Sequence, residues 1–504
     1  MDFKITVYND VCQITPRLSP SDSMAVDDIM AFGIPGAQFT EQFKSNSWDG
    51  KKRLYSFKTQ MFPTGFLPEV VYKLKELGVD ATIVDNRNMP ELSAPPLLLK
   101  ITPWEHQKKI FDICAQMPRG LIQAATGSGK TAAIAGVWGM LNVPGVIITY
   151  RKELMYQLRE HISRYLGVPV GVLGDGVWEE APLTVCMAQT LVKVVGREYA
   201  KLLKDYDEND SASDKLVYER HTELHEKLIK APQFVAVDEC HRAAARGTYT
   251  IVQAMKNTFW RYGFSATAFG FREDGQDFMI KATIGDVIAS VSTSDLVDEG
   301  ILVPTDIIMV EYSHAGHRYP KDNYGEYYYK AVVENDERNK ILIQTAYHLY
   351  KAGKPVLMAV QRVDHGKVLE LAMQHLVGPD HAKFVYGEDH STYRDETLGA
   401  FKAGKLPILI STLISEGVDM PMLAHCVAGR GEASRIATIQ LMGRGMRAFP
   451  GKTKAVYVDI MDTKSAWLSK HTKTRAIAYN NERAFTTIPV DVKDLGTFLK
   501  GYQL

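Results

Sequence analysis

The feature that most constrains this chain is a glycine-rich segment that lies between an apolar run and a helical stretch. The segment reads Ala-Ala-Thr-Gly-Ser-Gly-Lys-Thr over residues 124–131, and residues 121–124 suit a buried parallel strand. Glycines let the backbone turn its N–H groups toward a phosphate, and the N-terminus of the following helix adds partial positive charge. This order of strand, loop and helix predicts a site for the phosphates of ATP. The predicted nucleotide-binding residues are Thr126, Gly127, Ser128, Gly129, Lys130, which reaches the β- and γ-phosphates, and Thr131, whose hydroxyl ligates Mg²⁺.

A second apolar run, residues 234–237, ends in two acidic residues. In open α/β sheets, ligands bind outside the carboxyl ends of the strands. Asp238 is therefore predicted to hold Mg²⁺, directly or through a water, and Glu239 to orient and deprotonate the attacking water. His241 is predicted to couple the nucleotide site to the neighbouring motif. Cys240 is expected to pack as a small buried side chain.

The composition excludes several classes of protein. The 504 residues include 59 Lys+Arg and 59 Asp+Glu, so bulk charge does not indicate a nucleic-acid binder. The five cysteines form no Cys-x-x-Cys pair, which argues against a disulfide framework or a zinc site and fits a reducing cytoplasm. The sequence begins without an apolar signal region. Residues 132–149 are almost wholly apolar but contain Asn142, Pro144 and Gly145, and we expect a buried helix and a strand there rather than a membrane span.

Six further short motifs follow one another along the chain. They occupy residues 104–107, 150–157, 187–190, 265–267, 411–419 and 440–447. Each is weak alone, but their order, together with the phosphate loop and the acidic strand end, resembles that of superfamily 2 helicases. The resemblance implies an α/β fold with two RecA-like parallel-sheet motor lobes and a small N-terminal α+β domain, with ATP and Mg²⁺ as ligands. The expected division is an N-terminal DNA-binding domain over residues 1–95, a first lobe over 96–304 and a second lobe over 305–504.

The resemblance also implies roles for residues of these motifs. The side-chain amide of Gln107 has the donor and the acceptor that the adenine edge requires. Trp104 or His106 could stack on the base, or these aromatic rings could pack in the core. The implied coupling residues, beside His241, are Ser265 and Thr267. The implied DNA contacts are Arg151, Gln189, Thr190, Ser411 and Thr412.

The last two motifs are implied to complete the nucleotide chemistry. Gly417 and Asp419 would link DNA to the nucleotide. Gln440, Arg444 and Arg447 match the motif whose arginines act as fingers on the γ-phosphate. A planar guanidinium with a permanent charge can meet phosphate oxygens bidentately. The alternative for two arginines on one helix is a solvated basic face.

The N-terminal segment of residues 46–55 places Trp48 beside Lys51, Lys52 and Arg53. An aromatic ring next to cations can stack on a base while the cations hold phosphates. The alternative is a hairpin with a packed tryptophan and a solvated basic turn. The segment precedes a Gly-Phe pair that opens an amphipathic helical pattern, and then the two-lobe motor. This arrangement resembles the phage branch-migration helicases.

The combined expectation is an ATP-dependent DNA helicase that remodels forks, D-loops and four-way junctions by branch migration. The expected partner is branched DNA, without a membrane or a structural metal, and we expect a monomer in the cytoplasm of the host cell. Three alternatives stay open: an RNA helicase of the same superfamily, a duplex-DNA translocase of the restriction or chromatin type, and a non-catalytic DNA-binding scaffold. A scaffold would need neither Lys130 nor Arg447.

Two features of the second half have no assigned role. Tyrosines at positions 319, 324, 327, 328 and 329 form a cluster that could stack on bases, although core or interlobe packing is favoured. Lys464, Lys470, Lys473 and Arg475 could form a phosphate-contacting face or a solvated helix.

Overall fold

The computed structural model describes residues 2–196, 212–242, 246–267, 275, 277–320, 322–413, 420, 422–433 and 435–502. Within these ranges, no helix is long and apolar enough to cross a membrane. The contacts between residues divide the chain into two compact units. The first unit comprises residues 1–124 and 129–290, and the second comprises residues 125–128 and 291–504.

The strands and helices are numbered in chain order over the described residues. The strands are β1 (Phe3–Val7), β2 (Val11–Thr15), β3 (Phe32–Gly33), β4 (Lys51–Lys52), β5 (Met61–Pro63), β6 (Ala81–Asp85), β7 (Arg119–Ala124), β8 (Gly145–Thr149), β9 (Gly171–Gly174), β10 (Val177–Glu179), β11 (Leu183–Met187), β12 (Phe234–Asp238), β13 (Trp260–Ser265), β14 (Val287–Val291), β15 (Thr305–Ser313), β16 (Val356–Ala359), β17 (Ala382–Val385), β18 (Ile408–Ser411), β19 (His425–Ala428), β20 (Ala455–Thr463) and β21 (Phe485–Asp491). The α-helices are α1 (Pro20–Met30), α2 (Glu41–Lys44), α3 (Leu67–Glu76), α4 (Glu105–Gln116), α5 (Lys130–Leu141), α6 (Lys152–Leu166), α7 (Ala188–Leu191), α8 (Ala212–His225), α9 (Arg246–Ala254), α10 (Asp277–Thr283), α11 (Thr293–Asp298), α12 (Tyr324–Tyr328), α13 (Asp336–Lys351), α14 (Val363–Val377), α15 (Ser391–Lys402), α16 (Arg435–Gly445), α17 (Leu468–Asn480) and α18 (Leu495–Gly501).

The first unit begins with a small α+β domain. Its sheet has the strand order β5-β2-β1-β6, with β1 antiparallel to β2 and parallel to β6. Apolar residues alternate along β1, so Ile5 and Val7 point into one core. The amphipathic helix expected after the Gly-Phe pair is α3, which buries Val70 and Leu74 against that core. The pair β3 and β4 forms a separate antiparallel ribbon.

A large sheet forms the rest of the first unit. In the described chain its order is β10-β9-β11-β8-β12-β13-β7-β14. The central strands β11, β8, β12, β13 and β7 run parallel. Strands β8, β11, β12 and β13 are buried along nearly their whole length because both faces are covered, and all but β13, which contains Arg261, consist mainly of apolar residues. Because the five strands run parallel, their carboxyl ends meet at one edge of the sheet. The phosphate loop and the motifs after residues 149, 187, 238 and 265 all leave from this edge.

The second unit contains another sheet, with the order β17-β18-β16-β19-β20-β15-β21 over the described residues. Each neighbouring pair in it is parallel. Helices α13 and α14 supply apolar residues to its core, among them Leu342 and Leu369. The predicted α/β class with parallel-sheet lobes is confirmed.

Several local predictions can be compared with these elements. Residues 132–149 form the buried helix α5 and the strand β8, as predicted. All five cysteines are unpaired and buried, and Cys240 packs in the core as expected. Residues 86–104, all described, contain no helix or strand, and the predicted domain boundary at residues 95/96 falls among them. The division into three domains at residues 95/96 and 304/305 stays a prediction.

Candidate active site

The phosphate loop connects the carboxyl end of β7 to the N-terminus of α5. Gly127 and Gly129 have φ angles of 96° and 71°, in the left-handed region that favours glycine. Lys130 is the first residue of α5, and its Nζ donates to the carbonyl oxygen of Ala124 at 3.3 Å. The curled backbone and the lysine thus share one concave turn, which is the arrangement that binds phosphate. Contact with ATP stays a prediction.

The acidic strand end lies next to that lysine. Asp238 is buried at the end of β12, and Glu239 follows in left-handed backbone with φ 49°. Such a conformation is uncommon for a residue with a side chain and is found at functional sites. One carboxylate oxygen of Glu239 lies 3.9 Å from Nζ of Lys130, and the other lies 3.2 Å from Nδ1 of His241. Burial, and after it the charge of Glu239, raise the pKa of Asp238 to about 7 against the opposing charge of Lys130.

His241 joins the acidic strand end to the next strand of the sheet. Its Nδ1 lies 2.9 Å from Oγ of Ser265, and that oxygen accepts the backbone N–H of Thr267 at 3.2 Å. Ser265 ends β13, the strand between β12 and β7. A continuous path of polar contacts therefore runs from Lys130 through Glu239 and His241 to Thr267. The structure brings the predicted coupling residues together, and the coupling itself stays a prediction.

Thr131 and Asp238 are the predicted ligands of Mg²⁺. Both supply oxygen donors, which Mg²⁺ prefers, and neither is a soft ligand that would favour another metal. The pKa of Asp238 is raised mainly because its carboxylate is buried away from water, and a nearby divalent cation would stabilise the ionised form. Among the described residues, no three or more His, Cys, Asp or Glu are arranged to hold a metal alone. The donor set fits a Mg²⁺ ion that takes its remaining ligands from phosphates and water.

The predicted adenine-reading segment lies against the phosphate loop. Oε1 of Gln107 accepts the backbone N–H of Trp104 at 2.9 Å, and Nε2 donates to the carbonyl oxygen of Gly129 at 3.4 Å. A Cβ atom at Gly129 would lie 2.5 Å from Nε2 of Gln107, so a larger residue there would displace this amide. Trp104 is 41% exposed, with its ring 5.7 Å from the ring of His106. The amide thus holds helix α4 to the loop, and adenine reading stays a prediction.

Two of the implied DNA-contact motifs follow the adjacent strands β8 and β11. Arg151 is exposed just before α6, and Gln189 and Thr190 lie in α7. Nε2 of Gln189 donates to the carbonyl oxygen of Tyr150 at 3.0 Å, which ties the two loops together. These residues occupy the same sheet edge as the phosphate loop, on the far side of β12.

In the second unit, Ser411 and Thr412 mark the carboxyl end of β18. Ser411 is buried and its hydroxyl donates to the carbonyl oxygen of Val385 at 2.8 Å. Thr412 is half-buried and is the accessible member of the pair. The predicted residues Gly417 and Asp419 lie outside the described residues. DNA contact by this motif stays a prediction.

The basic segment of the N-terminal domain makes contacts within its own unit. Trp48 is half-buried, and its Nε1 donates to the carbonyl oxygen of Lys51 at 2.7 Å. Arg53 forms a bidentate pair with Asp49 and also donates to Asp27, which is buried, at 2.8 Å. Removal of this arginine would leave a buried carboxylate without its partner. Arg53 therefore stabilises the domain, whatever it contacts besides.

The two lysines of this segment differ. Nζ of Lys52 lies 6.0 Å from the ring centroid of Phe32 and 5.8 Å from that of Tyr249. Lys51 keeps an exposed ammonium group 4.0 Å from Asp28. The predicted DNA contact by Trp48 and its basic neighbours stays a prediction, and Lys51 is the cation best placed to meet a phosphate.

The helix of the last motif is α16. Gln440 and Arg444 lie on it, and their side chains are outside the described part of the chain. Arg447 follows the helix, is half-buried, and pairs with Leu302 through a short β-bridge.

Known families match both units of the chain. The family described as "Type III restriction enzyme, res subunit" matches residues 100–270, and the family described as "Helicase conserved C-terminal domain" matches residues 337–449. The chain is 21% identical to "ATP-dependent DNA helicase uvsW" of Enterobacteria phage T4 over 482 residues, 92% of this chain and 91% of that protein. The chain belongs to the superfamily 2 helicases. It is an ATP-dependent helicase of the UvsW-like type, as the order of its motifs and its N-terminal segment indicated.

Solved structures share the fold of this helicase. Saccharomyces cerevisiae Dbp5 bound to RNA and ADP BeF3 matches with a TM-score of 0.51 at 14% identity, over 79% of this chain and 92% of that chain. A fragment of a putative HsdR subunit of a type I restriction enzyme from Vibrio vulnificus matches with a TM-score of 0.53 at 18% identity, over 88% of this chain and 77% of that chain. These likenesses concern the fold and confirm its predicted class.

Sequence reasoning missed one residue that holds a motif of the helicase in place. Nζ of Lys452 donates to the carbonyl oxygens of Leu423 at 2.6 Å and Arg447 at 2.8 Å. Burial lowers the pKa of Lys452 to about 8. The turn at Pro450 and Gly451, which returns the chain toward the motif, was the only signal for this contact.

Proposed function

We propose that this helicase uses ATP and Mg²⁺ to remodel forks, D-loops and four-way junctions by branch migration, in phage replication, recombination and repair within the host cytoplasm. The observation that carries the proposal is the extent of the likeness to the T4 helicase. It spans 92% of the chain and so includes more than half of residues 1–99, which precede both matching families. A shared motor alone would not extend into the N-terminal domain. The likeness there supports a shared use of DNA by that domain.

The N-terminal domain packs on the motor sheet of its own unit through α10. The ring of Phe278 stacks on Phe32 at 5.4 Å and on Phe66 at 6.1 Å between centroids. Ala282 of α10 is fully buried in the apolar core of the N-terminal domain. A core that continues from one domain into the other resists relative motion, because interiors are close-packed. The N-terminal domain is therefore carried with the first motor lobe.

Polar contacts fix the same interface. Lys281 forms ion pairs with Glu69 of α3 and with Asp286, the latter at 2.6 Å. A Cβ atom at Gly65 would lie 1.9 Å from the carbonyl oxygen of Lys281, so the two backbones touch where only glycine fits. Helix α10 begins ten residues after Thr267, the last residue of the polar path from the nucleotide loop. The N-terminal domain thus attaches to the segment that follows the coupling motif.

The order of the strands supports a mechanism within the first unit. Strand β12 separates the nucleotide side, which holds Lys130, from the side that carries Arg151 and Gln189. Lys130 would hold the phosphates, and Glu239 would take a proton from the attacking water. Mg²⁺, when bound, would neutralise charge on the phosphates. Because His241 contacts both Glu239 and Ser265, a change in the position or charge of Glu239 would be transmitted to β13. Stepwise movement requires that ATP stabilise one conformation more than another.

The experiment that tests the proposal compares DNA structures with the full chain. ATP hydrolysis would be measured with single-stranded, duplex, forked and four-way DNA and with RNA of matched length. The proposal predicts the largest stimulation by forked and four-way DNA, and ATP-dependent conversion of a four-way junction. Stimulation by RNA above all DNA would support the RNA-helicase alternative, and equal stimulation by plain duplex and junction would support a translocase.

A variant of the N-terminal segment sharpens this test. Trp48→Ala combined with Lys51→Ala leaves Arg53 and its carboxylate partners in place, so the domain should stay folded. We expect weaker binding to four-way junctions, with a smaller loss at high salt because phosphate contacts act through counterion release. The matched control is Lys44→Ala, which removes another exposed lysine at the end of α2. Junction binding equal to that of the unaltered helicase would remove the N-terminal segment from the proposal.

A further inference from the structure

An aromatic surface of the second unit, with one exposed and two half-buried rings, lies outside all the motifs described above. It consists of Tyr324, Trp467 and His471, and is called the Trp467 surface below. Trp467 follows β20 and is 38% exposed, with its ring centroid 5.1 Å from that of Tyr324. Tyr324 also contacts the ring of His471, at 5.6 Å. An exposed tryptophan with an aromatic neighbour presents a π-face to solvent, which is the requirement for stacking on a base.

Buried contacts hold these rings in place. Tyr327 and Tyr328 of α12 are fully buried, as the packing interpretation of the tyrosine cluster expected. The hydroxyl of Tyr327 hydrogen-bonds to Ser465, and that of Tyr328 donates to the carbonyl oxygen of Arg430 at 2.5 Å. The ring of Trp467 lies 6.3 Å from that of Tyr327. The rings of the Trp467 surface therefore rest on a fixed base, which reduces the ordering that binding would require.

Exposed lysines flank Trp467 in the chain. Lys464, Lys470 and Lys473 are exposed, and no described carboxylate lies within ion-pair distance of their ammonium groups. The backbone N–H of Lys470 bonds to the carbonyl of Trp467 at 3.1 Å, so the two side chains lie one turn apart on the same face of α17. Lys464 adopts left-handed backbone with φ 51°, uncommon for a lysine.

Arginine and acidic residues complete the charge of this region. Arg362 is exposed, with its guanidinium 5.9 Å from the ring centroid of Tyr328. Glu432 is paired with Arg430 at 2.6 Å, so its charge is compensated. Glu326 is exposed on α12, but it is two residues from Tyr324 and lies on a different face of that helix. Lys464 and Lys470, which flank Trp467 in the chain, form no ion pair with a described carboxylate, which suits a polyanion.

One member of the basic tail does not belong to this surface. Arg475 is buried, donates to Asp459 at 2.7 Å and to the carbonyl oxygen of Glu432 at 2.8 Å. The prediction that Arg475 contributes to a phosphate-contacting or solvated face is therefore wrong. Arg475 instead joins α17 to β20 through its contact with Asp459, while the lysines of the tail are exposed.

The Trp467 surface lies at the edge from which the DNA-contact motif of this unit leaves. The seven parallel strands end at the same edge of the sheet. Ser411, at the end of β18, pairs with Ala359 of β16, and Ala359 pairs with Ala428 of β19. Strand β20 continues beyond the level of these residues to Thr463, and Trp467 follows four residues later. A strand of nucleic acid that reaches Thr412 therefore meets the edge that carries Trp467.

We propose that Trp467 and Tyr324 stack on an unpaired base of single-stranded DNA, while Lys464 and Lys470 hold the adjacent phosphates. This inference rests on the proposed function and deepens it, because it places a single strand of the branched DNA on the second lobe. Stacking is tolerant of sequence, since every base has a π-face. The Trp467 surface would therefore hold a single strand of the branched DNA without recognising its sequence.

Binding of labelled single-stranded and blunt duplex DNA to the full helicase tests the inference. Trp467→Ala should weaken single-strand binding about 5- to 100-fold, as expected for the loss of one stacked base, and leave duplex binding unchanged. Trp467→Phe should restore most of the affinity. Leu371→Ala, which removes an exposed apolar side chain from α14, is the matched control and should have no effect. Thermal melting of each variant shows whether the fold is kept.

Two further measurements separate stacking from charge. The fluorescence of a 2-aminopurine base in the single strand should be quenched by the unaltered helicase and not by Trp467→Ala. Lys464→Ala combined with Lys470→Ala should lower the salt dependence of single-strand binding by about 1.4 in log–log slope, whereas Lys402→Ala with Lys405→Ala should not. If folded Trp467→Ala binds single-stranded DNA with unchanged affinity while junction DNA still stimulates ATP hydrolysis, the stacking inference is overturned and the proposed function is not. Absence of stimulation by any DNA overturns the proposed function as well. A loss of RNA binding without a loss of DNA binding also overturns the inference.

Discussion

Phe278→Ala is expected to loosen the N-terminal domain from the first motor sheet. The ring is half-buried and stacks on Phe32 and Phe66 at 5.4 and 6.1 Å. Loss of half the burial of a phenylalanine side chain costs about 1 kcal/mol. Each ring pair contributes ~0.5–1.5 kcal/mol more. The free energy for opening this interface should therefore fall by roughly 2–4 kcal/mol.

Hydrogen exchange measures this opening directly. The amides that join β1 to β2 should exchange about 30- to 1000-fold faster in Phe278→Ala, because they are exposed when the domain separates and opens. Phe498→Ala is the matched control, since Phe498 is also half-buried and stacked, on Tyr502 at 5.3 Å in the second unit. It should leave β1 and β2 unaffected. Equal exchange of β1 and β2 in Phe278→Ala and the unaltered protein would refute the idea that α10 holds the N-terminal domain.

The effects of four other perturbations are predicted. Lys130→Ala should abolish phosphate release, and Glu239→Gln should bind ATP without turning it over; normal turnover in Glu239→Gln would remove it as the base. Arg447→Ala should keep ATP affinity and lower turnover by ~10³ if it acts as a finger, measured in single-turnover assays. Burial lowers the pKa of His365 to about 3 and of His425 to about 4, so the stability that each neutral ring contributes is complete above pH 6.5 and is lost as pH falls toward those values. Protonation of each histidine should lower the free energy of unfolding of the second unit by about 2–3 kcal/mol at pH 4.5. An equal melting temperature of this unit at pH 7 and at pH 4.5 would contradict this.

The strands and the ATP motifs could be predicted because each depends on local sequence. A run such as residues 234–237 is apolar throughout, and only a strand covered on both faces buries it all. The residues after such runs must then share one sheet edge, which is where Lys130, Glu239 and Ser265 lie. The succession of polar contacts from Lys130 to Thr267 follows from the strand order, in which β13 lies between β12 and β7.

The remaining features depend on contacts between distant residues. Arg53 could not be assigned to Asp27 from the sequence, because the partner lies 26 positions away. Lys452 reaches two backbone carbonyls, which have no sequence signature. Arg475 did carry a signal, since it shares the helical spacing of the buried residues Leu468, Thr472 and Tyr479. A buried arginine at such a spacing predicts an internal carboxylate partner.

We propose that ATP hydrolysis by this chain moves branch points in DNA. The most direct measurement follows a four-way junction with homologous arms over time, with ATP and Mg²⁺, for the unaltered helicase and for Glu239→Gln. We expect the unaltered helicase to convert the junction to linear duplexes and Glu239→Gln not to convert it, although both bind the junction. Failure of the unaltered helicase to convert the junction while it hydrolyses ATP, or conversion by Glu239→Gln at the same rate, would contradict the proposal.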